Sequence, residues 1–177
     1  MAGELLDIAL AHFADGEGGF FDTADDAEQL IRRPKDPSDN AAPSGQSALA
    51  QSLLTYSALT GSLRHRDAAE SALRVVSWLG VPQPRFLGWA LAAAEGLVSG
   101  PLQVAIVGEP SGGPLARTTW RKRPPGAVVV SGEPDASGVP LLEARPLVAG
   151  RSAAYVCRGM VCDAPVTDVD ALAAALR

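Results

Sequence analysis

The sequence contains few cysteines, few histidines and no long apolar run. Its two cysteines and two histidines are too few for a disulfide framework and do not form a zinc-binding pattern. His12 and His65 are isolated, and His65 looks like a solvated turn residue. No apolar run approaches the roughly 18 residues of a membrane-spanning helix, and the first residues lack the basic start of a secretory signal. We therefore expect no metal centre, no membrane segment and a cytoplasmic protein.

Cofactor and nucleic-acid motifs are also missing. The Gly-rich segment 107–113 matches neither the phosphate-loop pattern nor the dinucleotide-binding pattern, so we expect no cofactor. The net charge of −5 argues against a general nucleic-acid-binding surface, and the basic run 117–123 lacks the aromatic pattern of an RNA-binding domain. The composition, 47% hydrophobic and 20% charged, is typical of a globular protein and not of a disordered one.

The apolar pattern changes near Gly100 and Pro101. Before this point, apolar residues recur at helical spacing in four segments. They predict helices near the N-terminus, at about 49–60, at about 66–79 with an end at Gly80, and at about 85–98. Short links that contain Gly or Pro join successive helices, so we expect antiparallel helical hairpins.

After Pro101 the pattern becomes that of strands. Three short runs rich in β-branched or apolar residues predict strands at 103–107, 127–131 and 153–157, with helices at 114–123 and 168–177. The order strand, helix, strand is typical of a parallel pair with a right-handed crossover. Residues 132–152 are rich in Gly and Pro and predict a loop, with a short turn at Leu141 and Leu142.

The most informative feature is a polar, acidic loop at residues 15–42. Eight of the 20 acidic residues lie between positions 15 and 40. A long loop in a compact domain is usually functional or disordered, and Phe20 and Phe21 favour order. Paired carboxylates could divide the acid and base roles of glycoside hydrolysis. The simpler alternative is that the Asp and Asn side chains make turns and cap helices. This alternative is favoured, because carboxylates in a sequence are weak evidence for catalysis when their relative positions are not known.

Two smaller patterns carry further alternatives. Pro43, Ser44 and Gly45 open the second helix, whose free N–H groups could bind an anion or a sugar hydroxyl, although an N-cap role for Ser44 is favoured. Cys157 and Cys162 have the spacing C-x4-C, which is neither the C-x-x-C redox motif nor a zinc knuckle. The default interpretation is a buried cysteine on a strand with a second one in the following loop. A redox-active disulfide is the alternative.

Two segments resemble a known family. GGFFDTADDAEQLIRRPKDPSDNAAPSGQSALAQSLL at 18–54 and AYVCRGMVCDAPVTDVDALAAAL at 154–176 look like the C-terminal region of thioredoxin domain-containing proteins related to the spermatogenesis-associated thioredoxin-like proteins. The resemblance implies a thioredoxin-like domain, an (α/α) six-hairpin toroid similar to N-acylglucosamine 2-epimerases and glycosidases, and a small α/β tail. We therefore expect a mainly α chain: residues 1–100 form the last hairpins of the toroid, and residues 101–177 form a small α/β domain with a short parallel sheet.

The resemblance also implies a sugar-like cleft. Asp22 and Asp39 are the implied catalytic residues, for acid–base or hydroxyl-binding work. The implied substrate-binding residues are Phe20, Lys35, Asp36, Asn40, Pro43, Ser44 and Gly45. The family pattern has Asn where this chain has Gln46, so a side-chain role at that position is not carried over.

The expected function follows from this resemblance. The chain is expected to be a C-terminal fragment of such a protein, with a sugar-active-like helical domain that is not catalytic alone. Any activity of the complete protein is expected to be glycosidase-like or epimerase-like. The alternative is a non-catalytic interaction subunit that docks on a separately encoded N-terminal thioredoxin-like and toroid half. That missing half and a carbohydrate-like small molecule are the expected partners, although a truncated gene product without independent activity fits equally well.

Overall fold

The computed structural model describes residues 1–79 and 82–177, which divide into two compact units. The N-terminal unit comprises Met1–Ser57 and Ser62–Leu97, and the C-terminal unit comprises Ala58–Gly61 and Val98–Arg177. Within these described residues, no helix has the length and the apolar character needed to cross a membrane. Each unit has an apolar core of its own.

The first half of the chain forms the four helices that the apolar spacing predicts. They are α1 Ala2–His12, α2 Gly45–Thr60, α3 Leu63–Val76 and α4 Gly88–Val98, with single 3-10 turns at Ser77–Leu79 and Pro84–Phe86. Helix α3 begins three residues earlier than predicted. Its predicted end at Gly80 lies outside the described residues.

The apolar faces of these helices converge on one core. Leu53 of α2, Leu73 of α3 and Ala90 of α4 are buried there together with Phe20 of the acidic loop, and Leu6 of α1 packs against them. Full burial of a leucine such as Leu53, which is 0% exposed, stabilises the fold by about 1.5–3 kcal/mol. The helices therefore pack around a core that this unit supplies by itself.

The predicted fold class is wrong. The described residues form six α-helices and a four-stranded sheet, which is a small α/β fold and not an arc of an (α/α) toroid. An apolar stripe shows that one face of a helix is buried, but it does not show what covers that face. Here the packed faces of the helices and Phe20 cover one another, so those faces do not require further helical hairpins around a ring.

The C-terminal unit is built on a mixed sheet. Its strands are β1 Leu102–Val107, β2 Val128–Gly132, β3 Ala153–Arg158 and β4 Val161–Cys162, in the order β2-β1-β3-β4. Strands β1 and β2 are parallel, with Gln103 opposite Val128, as the strand–helix–strand pattern predicts. Strand β3 is antiparallel to both β1 and β4. The prediction of a short parallel sheet is therefore wrong, because the sheet is mixed.

Strand β1 is buried along its whole length. One of its faces, which includes Ile106, packs against α5 Pro114–Lys122 and α6 Val169–Ala175. The other face, which includes Val107, packs against the 3-10 turn Pro140–Leu142. The segment that was predicted as a loop therefore contributes part of the core.

Candidate functional site

Backbone hydrogen bonds attach the acidic loop to the helices at both of its ends. Near α1, Phe21 N donates to Phe13 O at 2.8 Å. Near α4, Asp39 N donates to Phe86 O at 2.7 Å. The side chains between these points therefore have defined neighbours.

Asp39 lies at the beginnings of two helices. Its Oδ1 accepts a hydrogen bond from Ser44 N at 2.9 Å, and its Oδ2 accepts from Trp89 N at 2.8 Å and from Ala90 N at 2.9 Å. Burial raises the pKa of this carboxyl group, but the hydrogen bonds from Ser44 and Ala90 outweigh burial, so the pKa lies below its ordinary value. Since Asp39 is only 2% exposed and both oxygens are occupied, the geometry favours helix capping and not the predicted catalytic role.

Asp22, the second predicted catalytic residue, is exposed. Its Oδ2 accepts from Asp36 N at 3.1 Å, and its Oδ1 lies 3.6 Å from the position that a Cβ on Gly45 would take. Asp36 is exposed as well, and its own Oδ1 accepts from Ser38 N at 2.9 Å in a local turn. Because Asp39 is enclosed by backbone N–H groups, Asp22 and Asp39 do not offer two free carboxylates to one ligand.

Lys35 neutralises a different carboxylate. Its ammonium group forms an ion pair with Asp15, whose side chain is only 4% exposed. Asp15 Oδ1 also accepts from Glu17 N at 2.7 Å and Gly19 N at 2.9 Å. Burial raises the pKa of Asp15, whereas Lys35 and the two backbone donors lower it further than burial raises it. Lys35 therefore stabilises the turn at Asp15. The sequence analysis does not predict Asp15 as a site residue.

Ser44 is the N-cap of α2, as the favoured interpretation predicts. Ser47 N donates to Ser44 Oγ at 3.1 Å, and Ser44 Oγ donates to Ser47 Oγ at 3.0 Å, while Gly45 begins the helix. A cap of this kind satisfies one of the free N–H groups of the first turn. The neighbouring Asn40 and Pro43 are exposed.

A cleft of about 230 Å³ lies between the loop and helices α1 and α2. Its lining combines four apolar side chains of the helices and loop with one carboxylate and one glycine, namely Phe13, Phe20, Phe21, Leu49, Asp22 and Gly45, beside Ala9. The predicted residues Phe20, Asp22 and Gly45 therefore come together. The lining does not include Lys35, Asp36, Asp39, Asn40, Pro43 or Ser44. The sequence patterns assign no site role to Phe13 or Leu49.

Gln46 connects the loop to α3. The side chain is 4% exposed; its Oε1 accepts from Phe20 N at 2.8 Å, and its Nε2 donates to Ala72 O at 2.8 Å. Both ends of the amide are therefore used to position the cleft residue Phe20. Its departure from the family pattern was the only sequence signal at this position.

The two histidines are not isolated. His12 Nδ1 lies 2.7 Å from Asp25 Oδ1 and 3.6 Å from Asp26 Oδ2, and the hydrogen bond to Asp25 raises the pKa of His12. These three side chains could present ligand atoms to a cation, although protonation of the imidazole opposes metal binding. His65, expected to be solvated, is 5% exposed and meets the Tyr56 ring edge-on at 4.7 Å.

Cys157 and Cys162 form a disulfide bond. They lie directly opposite each other on β3 and β4, so the default interpretation of two unpaired cysteines is wrong. The physical reason is the hairpin, which brings facing side chains of an antiparallel pair together. Arg145, which carried no signal in the sequence, places Nη2 2.9 Å from Cys162 Sγ.

No protein-family model matches the chain, and no curated protein matches its sequence. The resemblance to thioredoxin domain-containing proteins therefore stays a prediction.

Proposed function

We propose that the chain is a non-catalytic part of a thioredoxin domain-containing protein, and that its aromatic cleft binds one small sugar-like ring. The observation that supports this proposal is the lining of the cleft, in which Phe13, Phe20 and Phe21 lie beside the exposed carboxylate of Asp22. Aromatic rings pack against apolar C–H surface, and an ionised carboxylate accepts strong hydrogen bonds from hydroxyl groups. A mostly apolar cleft with a few polar groups is the usual form of a small-molecule site.

The size of the cleft limits the ligand. Sites for drug-sized molecules have volumes of roughly 300–1,000 Å³, and this cleft measures about 230 Å³. A single ring is therefore a better match than an oligosaccharide.

The different availability of the two predicted carboxylates supports sugar binding without catalysis. Glycoside hydrolysis uses two carboxyl groups that are separated by roughly 5–9.5 Å and are both available to the substrate. Of the two predicted residues, Asp22 is exposed, whereas Asp39 accepts three backbone hydrogen bonds. Asp22 can orient a hydroxyl group, but Asp39 is not available as its catalytic partner.

Titration with single sugars tests the proposal. Glucose, mannose and N-acetylglucosamine are added separately to the ¹⁵N-labelled full chain, and the amide signals of Phe21, Asp22 and Gly45 are followed by NMR. We expect one of these sugars to shift the three signals in a saturable way. Asp22→Asn should weaken binding about tenfold, because a hydrogen bond to a charged group contributes about 1.5–3 kcal/mol.

Asp36→Asn is the control variant, and Gly45→Ala is a second test of the cleft. Asp36→Asn changes a neighbouring exposed carboxylate that does not line the cleft, so the affinity should stay the same. Gly45→Ala adds a methyl group 3.6 Å from Asp22 Oδ1, which is an ordinary contact; the variant should fold and bind the sugar more weakly. Absence of shifts with all three sugars, or equal affinity of Asp22→Asn and the wild type, contradicts the proposal.

A second candidate function is docking onto a separately encoded N-terminal half, and α1 supports it. Met1, Leu5 and Ile8 are 93%, 62% and 52% exposed. Spacings of four and three residues place them on one face of the helix. Exposed apolar side chains that share one helix face can form an interaction site.

Sedimentation equilibrium distinguishes the docking function. The isolated chain should self-associate reversibly as its concentration rises, because only another copy can cover the exposed stripe. Leu5→Glu combined with Ile8→Glu should give a monomer, whereas Val98→Glu, at a position on α4 that is 86% exposed, should leave association unchanged. A wild-type chain that stays monomeric at all concentrations argues against this function.

A further inference from the structure

Arg145 is a buried cation without a carboxylate partner. The residue is 8% exposed, and its Nη2 lies 2.9 Å from Cys162 Sγ and 3.7 Å from Cys157 Sγ. Its Nη1 donates to Glu143 O at 2.7 Å, while its Nε is buried and has no hydrogen-bond partner. Among the residues that the structure describes, no carboxylate forms an ion pair with Arg145.

A buried guanidinium group is costly unless a negative charge lies beside it. In the disulfide, both sulfur atoms next to Arg145 are neutral. Reduction creates a thiol that can ionise, and a neighbouring arginine stabilises the thiolate. The environment of the sulfur atoms therefore favours the reduced, ionised pair more than an apolar environment would.

The hairpin keeps the two sulfur atoms together in either state. Cys157 and Cys162 face each other across β3 and β4, and the connecting turn contains Met160 with a φ of 69°. Gln103 of β1 holds this turn, because its Oε1 accepts from Met160 N at 2.9 Å. The turn is thus attached to β1, an inner strand of the sheet, and its position does not depend on the S–S bond alone.

The two cysteines also differ in exposure. Cys157 is 1% exposed, whereas Cys162 is partly exposed. An external thiolate can therefore reach Cys162 and not Cys157. Attack on one sulfur and departure of the other is the normal course of thiol–disulfide exchange.

We propose that Cys157 and Cys162 are a redox-active pair that oxidises a dithiol substrate, and that Arg145 stabilises the thiolates formed. A substrate thiolate attacks Cys162 Sγ, a mixed disulfide forms, and Cys157 leaves as a thiolate beside Arg145. The second substrate thiolate then attacks the substrate sulfur of the mixed disulfide and releases Cys162. The substrate gains an S–S bond, the chain gains two thiols after protonation, and two electrons have moved. This inference concerns the C-terminal unit and does not depend on the cleft of the N-terminal unit.

Equilibration of the full chain with glutathione buffers of known ratio tests the pair. The reduced and oxidised fractions are measured by mass spectrometry after alkylation. Arg145→Met should lower the equilibrium constant for reduction about tenfold, which corresponds to about 30 mV, because the reduced form loses its charge partner. Arg145→Lys, which keeps the charge, should recover part of the loss, and Arg151→Met, at an exposed position, should match the wild type.

A second measurement stays decisive if Arg145→Met does not fold. In the reduced wild-type chain, the rate of Cys162 alkylation by iodoacetamide is followed against pH, with Cys157→Ser as the single-thiol reference. The half-maximal rate should fall at least one pH unit below the value of about 8.5 for an ordinary thiol. An ordinary profile, or an Arg145→Met equilibrium within twofold of the wild type, overturns the proposal.

Discussion

Asp39→Ala should destabilise the N-terminal unit by about 2–4 kcal/mol, because three backbone N–H groups lose a charged acceptor. The three donors belong to Ser44, Trp89 and Ala90. The variant is made in a Trp120→Phe background, so that fluorescence comes from Trp78 and Trp89, the other two of the three tryptophans. Urea unfolding at pH 7 then gives the free energy of unfolding of this unit.

The matched control is Asp36→Ala. Asp36 belongs to the same loop and is exposed, and its side chain makes a local turn to Ser38 N, so its effect should stay within about 0.5 kcal/mol. Equal effects of the two substitutions would show that Asp39 is not a capping residue. A stable Asp39→Ala chain that loses only sugar binding would instead support the catalytic-site prediction.

The pH dependence provides a further test of Asp39. Its pKa is lowered from 3.8, so its contribution to stability is complete above that value and disappears as the pH falls through the lower pKa of the folded state. The difference in unfolding free energy between the wild type and Asp39→Ala should therefore be constant from pH 7 to about pH 5 and decrease below about pH 4. Urea titrations at these pH values measure it.

Gln46→Leu should cost the same unit about 1–3 kcal/mol, since it leaves Phe20 N without its hydrogen-bond partner and removes the bond from the Gln46 amide to Ala72 O of α3. The two groups are now paired with Gln46 at 2.8 Å each. Leucine keeps most of the side-chain volume, so the loss reports hydrogen bonding more than packing. Urea unfolding in the Trp120→Phe background measures the change.

Two further variants, Gln51→Leu and Gln46→Asn, test whether the loss of unfolding free energy comes from the hydrogen bonds of Gln46. Gln51 lies on the same helix and is exposed, so its replacement should change the unfolding free energy by no more than about 0.5 kcal/mol. Asn has one methylene group fewer and cannot reach both partners, so Gln46→Asn should give an intermediate loss. A Gln46→Leu chain as stable as the wild type contradicts the connection between the loop and α3.

These contacts change the interpretation of the acidic loop. Asp39 caps α4 and accepts a hydrogen bond from Ser44 N just before α2, Asp15 is neutralised by Lys35, and Asp36 forms a local turn. The simpler alternative for the loop, turns and caps, therefore describes Asp15, Asp36 and Asp39, which are three of the eight acidic residues between positions 15 and 40. Asp22 remains as the exposed carboxylate beside the aromatic cleft.

The sequence predicts the helices of the first half of the chain but not how they pack. The helical spacing in the first half of the chain predicts α1 to α4, and these helices are present. The additional step to a ring of hairpins came from the resemblance alone. The structure places Phe20 and the faces of α2, α3 and α4 in one core, and no pattern within a single segment indicates that convergence.

Local patterns were sufficient for the helices, for the three main strands, for the parallel pairing of β1 with β2 and for the N-cap at Ser44, because side-chain spacing and capping depend on neighbours only a few residues away. The tertiary structure decided which carboxylate is open, how the cysteines pair and where Arg145 lies. Asp39 meets Ala90 across 51 residues, and Gln46 meets Ala72 across 26. Contacts between such distant residues depend on how the elements pack, and a periodic pattern contains no record of that packing.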